Sequence, residues 1–187
     1  MLAGSIRKAV RTYISNNQKA EWLIIHFYKS MINNELRPIL KELNELGLNT
    51  PVIIISINKT ESKDFVLFDL DCLELITPSG TFIYFAKDKF LLCNNTRYGS
   101  TISSPTDGYP FPIKLNITLT DKEILKDQNL VNNLIDHVHQ FSSMYWKSVR
   151  QQNFPVTIKY PEMVTEIFPY FESDIIPQFG RQNLWFL

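Results

Sequence analysis

Hydrophobic and polar positions divide this chain into blocks. Two runs, EWLIIHFY at residues 21–28 and PVIIISIN at residues 51–58, are almost wholly apolar and of strand length. Apolar runs without alternation predict strands buried on both faces of a sheet. Between them Leu36, Ile39, Leu40, Leu43 and Leu46 recur at helical spacing. Asn33 or Asn34 is a candidate cap for this helix, Pro38 falls in or near its first turn, and Gly47 terminates it. Strand, helix and strand in this order predict a parallel crossover. Ahead of the unit, Ile6, Val10, Tyr13 and Ile14 share one helical face, leaving Arg7, Lys8 and Arg11 on a solvated remainder.

After residue 64 the blocks shorten. Residues 65–68 predict a brief strand. In GTFIYFAKDKFLLCNNTRYG, Phe82 and Tyr84 are separated from Phe90 and Leu92 by the polar stretch 86–89. This pattern predicts a β-hairpin whose loop exceeds two residues. A Ser/Thr/Pro-rich loop follows, and IKLNITL predicts a further strand at residues 113–119. Val131, Leu134, Ile135, Val138, Phe141, Met144 and Tyr145 mark a long helix over about 130–149, with His137 and His139 as partly exposed helix residues. FPVTIKY at 154–160 predicts a short strand, and Pro161 opens a helix over 162–171. The tail NLWFL carries enough apolar surface to favour docking over solvation. The expected class is therefore α/β, a mixed sheet flanked by helices.

Composition narrows the picture. The 187 residues suit one domain, and 44% hydrophobic with 13% aromatic content supports a packed core. Nineteen basic residues balance nineteen acidic ones, so any nucleic-acid contact must come from a local cluster. Cys72 and Cys93 form no CxxC pair and, with three histidines, no zinc spacing, which points to a reducing compartment. No apolar run approaches transmembrane length, and the first fifteen residues lack the continuous apolar core of a signal peptide. The expectation is a cytoplasmic protein. Arg97, in the polar cluster that ends the hairpin, is a candidate binding group on a loop; a solvated arginine on an ordinary meander is the alternative.

One feature resists a self-sufficient fold. Strands buried on both faces need neighbours on each side, and the segments after residue 64 fill only one side. The other edge of EWLIIHFY would be flat and hydrophobic, which natural sheets avoid. The prediction is a partner strand from another polypeptide or from an absent upstream segment.

The ordered strings EWLIIHFY, ELRPILKELNEL, PVIIISINK, PSGTFIY, DKFLLCNNTRYG, PFPIKLNITL, SSMYWKS, FPVTIKYPEM and LWFL resemble the C-terminal part of the PIWI domain of Argonaute proteins. The resemblance covers nearly the whole chain and implies a ribonuclease-H-like fold. It also accounts for the open edge. A complete PIWI domain begins with a β-meander that would lie beside EWLIIHFY, and a MID domain precedes it. Residues 1–187 thus resemble one part of a short or split prokaryotic-type Argonaute, lacking both.

The resemblance further implies a site. Nuclease-active PIWI domains hold two divalent cations with clustered carboxylates. One carboxylate belongs at the end of the strand matching EWLIIHFY, where this chain has Phe27 and Tyr28. Neither can bind a hard cation as a carboxylate does. A second position falls nearest Glu162. Slicing is therefore expected to be lost, so the chain is not expected to be an enzyme. Guide binding is expected to persist: Lys147 and Lys159 match positions that contact guide phosphates, Arg97 is a third candidate on a loop facing the same channel, Tyr145 and Tyr160 can donate hydroxyls, and the Leu187 carboxylate would help hold a Mg2+ ion bridging the guide 5′ phosphates, with Trp185 and Phe186 fixing the tail. Such contacts set register and affinity while base pairing reads sequence. Expected partners are a guide RNA or DNA with its target, a chain carrying MID and the first PIWI strands, and an effector subunit activated in prokaryotic defence. Two alternatives remain open: a metal-dependent nuclease whose other acids come in trans, with Glu162, Asp69 and Asp71 as local contributors, and a protein-interaction scaffold that binds no nucleic acid.

Overall fold

A computed structural model describes residues 2–16, 20–48, 50–59, 65–71, 75, 77–94, 111–120, 126–145 and 154–170. In chain order the elements are α1 (Leu2–Ser15), β1 (Leu23–Phe27), α2 (Asn33–Glu45), β2 (Val52–Lys59), β3 (Phe82–Ala86), β4 (Lys89–Leu92), β5 (Ile113–Leu119), α3 (Gln128–Ser143) and α4 (Val156–Ile167), followed by a 3-10 turn at Phe168–Tyr170. The strands form one five-stranded mixed sheet in the order β1-β2-β5-β4-β3. The chain divides into two compact units, one of Met1–Asn58, Tyr84–Phe90 and Lys114–Val131, the other of Lys59–Ile83, Leu91–Ile113 and Asn132–Leu187.

In the first unit β1 and β2 run parallel, pairing Leu23 with Val52 through Phe27 with Ser56. This register puts Leu23, Ile25 and Phe27 on the same face as Val52 and Ile54. There they meet Ile39 and Leu43 of α2 and Ile6 and Val10 of α1 in one apolar cluster. Each fully buried aliphatic side chain of this kind contributes about 1.5–3 kcal/mol relative to exposure. β2 is buried on both faces, as six successive burials from Val52 to Ile57 require.

β1 is not buried on both faces. It is shorter than the apolar run that predicts it, and it ends the sheet. Ile24, on the face away from α2, is 37% exposed, and Trp22 and Tyr28 just outside the strand are exposed as well. Cover on that face protects Ile53 and Ile55 but not their neighbour in β1.

Helix α2 begins at Asn33 with Ile32 as its cap residue, so neither asparagine caps it and Pro38 lies in the second turn. The Glu35 carboxylate instead reaches back to accept the Ile32 N–H at 3.2 Å. The C-terminus is as expected. Gly47 takes φ 71°, its N–H donates to Asn44 and the Leu48 N–H donates to Leu43, the paired bonds of a Schellman motif. Arg7 is not simply solvated, because it donates to Glu42 at 2.6 Å and Glu45 at 3.0 Å and ties α1 to α2.

The hairpin is tighter than its polar stretch suggests, with only Lys87 and Asp88 between β3 and β4. Asp88 accommodates φ 63°, a left-handed conformation that Asp tolerates better than most residues. Residues 65–68 form a single bridge at Phe68 rather than a strand. β5 alternates as its sequence predicts, burying Ile113, Leu115, Ile117 and Leu119. The Val52 N–H donates to Thr120 Oγ1, and the Thr120 N–H donates to the Val52 carbonyl. The start of β2 therefore meets the end of β5, and these two strands are antiparallel.

The largest departure is within residues 154–160, where Val156 to Tyr160 are helical rather than extended. Pro155 precedes the helix in an extended conformation, and its carbonyl accepts from the Ile158 and Lys159 N–H groups at 2.9 Å each. The β-branched sequence Val-Thr-Ile reads as strand by propensity, yet a preset proline φ at the helix entrance and burial of Val156 and Ile158 outweigh it. The helix then runs through Pro161, a residue that costs about 3 kcal/mol in a helix interior. Among the described residues no helix is long and apolar enough to cross a membrane.

Candidate functional site

Within the second unit, the end of α3 and the first turns of α4 bring together part of the expected site. Tyr145, two residues past α3, and Tyr160 of α4 have ring centroids 6.2 Å apart and tilted by 56°. Lys159 is next to Tyr160 in the chain. Its ammonium is not unopposed, since Nζ lies 2.7 Å from Oε2 of Glu162 one turn along the helix. Both side chains are partly buried, at 24% and 36% exposure. Glu162 therefore does not open the helix through its dipole; it sits in the second turn and neutralises Lys159. Lys59, at the end of β2, places its ammonium 4.8 Å from the centre of the Phe154 ring just before α4. This is cation–π distance, and it holds a second positive group in the same unit. Arg97, Lys147 and Leu187, and with them the expected phosphate-bridging Mg2+, lie outside the described residues.

The end of β1, where the resemblance leads one to expect an acid, lies in the first unit. Phe27 is the last residue of β1, and its ring is 5.1 Å from that of Tyr28. The Lys29 ammonium lies 5.8 Å from the Phe27 centroid and 5.9 Å from the Tyr28 centroid, and is held by Glu35 at 2.8 Å. Each partner perturbs the other's titration. Glu35 is lowered by its bonds from Lys29 and the Ile32 N–H, and Lys29 is raised by Glu35. The end of β1 is thus aromatic, with a lysine–glutamate ion pair beside the rings. Of the remaining acids, Asp69 accepts from the Asp71 backbone N–H at 3.0 Å and so closes a local turn. Among the described residues no group of three or more His, Cys, Asp or Glu side chains could hold a metal ion.

A second polar constellation was not anticipated. His139 Nε2 lies 3.1 Å from Ser79 Oγ, and the His139 ring packs on the α-carbon side of Gly80. Gly80 has φ 88° and occupies the third position of a turn closed by the Thr81 N–H on the Pro78 carbonyl. It also begins a bulge in which the Gly80 N–H donates to the Cys93 carbonyl and the Cys93 N–H donates to Thr81. Beside it, Asn94 Nδ2 donates to Ser142 Oγ at 2.9 Å, and the Ser142 hydroxyl donates to the Val138 carbonyl. A serine–histidine contact suggests nucleophilic catalysis, but the Gly80 and Thr81 N–H groups nearest the hydroxyl are already committed to backbone carbonyls. They cannot stabilise an oxyanion. The contact clamps α3 to the turn. The Pro-Ser-Gly string signals that turn in the sequence; its histidine partner, sixty residues on, carries no such signal. Cys93 is buried, and burial pushes its thiol up to about 11 against a smaller opposing effect of the Thr77 hydroxyl.

No protein-family model and no curated protein matches the chain.

Proposed function

We propose that this chain is the C-terminal part of a PIWI domain, a ribonuclease-H-like module of a short or split Argonaute that binds a guide nucleic acid without cutting its target. The single observation that carries the reading is the convergence of Tyr145 and Tyr160, from strings fifteen residues apart, to 6.2 Å with Lys159 adjoining. Two tyrosine rings, one on α4 and one just past α3, beside a lysine shared with Glu162 suit phosphate oxygens, which fix a strand's position without reading its bases. Two further features agree with it. A parallel β1–α2–β2 unit followed by an antiparallel series is compatible with a ribonuclease-H-like sheet. The end of β1 carries Phe27 and Tyr28, which cannot supply the hard oxygen ligands of a two-metal site.

The partner assignment rests on β1. A terminal strand with Ile24, Trp22 and Tyr28 exposed is suited to receive a strand from a chain carrying MID and the first PIWI strands. Guide binding would then signal to an effector. The direct test is co-purification of the full chain with its native partners, followed by sequencing of the bound nucleic acid. A second preparation with Lys147→Glu and Lys159→Glu should lose most of it. Undiminished nucleic acid would favour the interaction scaffold, and site-specific target cleavage with Mg2+ or Mn2+ would favour the nuclease with acids supplied in trans.

A further inference from the structure

We draw no further inference here: the strongest candidate, the exposed apolar patch of Ile83, Tyr84 and Phe85 on the terminal strand β3, is an open sheet edge, and nothing among the described residues shows what covers it.

Discussion

Gly80 offers a sharp test of the geometry, because two independent constraints meet at one atom. Its φ of 88° lies where an L side chain is strained, and an added Cβ would sit 3.3 Å from His139 Cε1. Placing alanine in the left-handed region costs about 1–2 kcal/mol. The reduced freedom of the unfolded chain returns about 0.4–1 kcal/mol. The approach to His139 adds to the cost, since 3.3 Å obliges the ring to shift by a few tenths of an ångström. The net expectation for Gly80→Ala is a loss of about 1 kcal/mol, equivalent to about 2–4 °C in melting temperature for a chain of this size. Gly4 is the internal comparison. It lies in α1, and nothing is within 4 Å of an added Cβ, so Gly4→Ala should stabilise the protein by up to about 1 kcal/mol. Urea unfolding of both variants, followed by circular dichroism, measures the two signs. Gly80→Asn separates the terms, because asparagine tolerates positive φ but still carries the Cβ. His139→Ala in the Gly80→Ala background should recover the part due to the ring. A Gly80→Ala protein as stable as the parent, or one that gains stability as Gly4→Ala does, would refute both the turn and its contact with α3.

Three further outcomes follow from the same structure. Leu43→Ala should cost about 2–5 kcal/mol, read from the urea midpoint, because Leu43 is 3% exposed in the cluster joining α1, α2 and β2. Glu35 titrates below its ordinary range in the folded protein, so its bonds to Lys29 and Ile32 stabilise the fold above the unfolded value of about 4.3. That contribution disappears as pH falls through the lower folded value, and Glu35→Gln should flatten this part of the stability–pH profile. In a Cys72→Ser background Cys93 should react with a thiol-specific disulfide reagent slowly at pH 8 and rapidly once urea unfolds the chain, because burial holds its thiol protonated up to about 11.

Much of the fold is legible where hydrophobic spacing leaves a single solution. The β1–α2–β2 crossover, the Leu36-to-Leu43 stripe and the Gly47 terminator follow from periodicity and from glycine's access to positive φ. The failures are informative for the opposite reason. Residues 154–160 look extended because Val-Thr-Ile is β-branched, but tertiary burial and the helix-entry geometry of Pro155 decide their conformation. An apolar run such as EWLIIHFY cannot reveal whether its strand lies inside a sheet or ends it. Ile24 is half-open because of β1's place in the order, which no local pattern encodes. At the candidate site the residue types are legible and their neighbours are not. Lys159 and Glu162 are three apart, a spacing that becomes an ion pair only once the segment is helical, and the strand reading hides it. Ser79 and His139 are sixty apart, and only the turn at Gly80 brings them together.

The end of β1 bears most directly on the choice between binding and cutting. Phe27 belongs to the apolar cluster beneath α2, so the backbone there is anchored by packing rather than by a metal. Lys29 is fixed over the neighbouring rings by Glu35, and its ammonium lies about 6 Å from both. Glu35 balances that ammonium, so the local chemistry is set by the aromatic side chains of Phe27 and Tyr28, which carry no carboxylate oxygens. Under the proposed reading, a carboxylate at residue 28 alone would still leave a two-metal site short of the further acids it needs. On the proposed reading, aromatic residues where an acid would stand favour holding a nucleic acid over hydrolysing it.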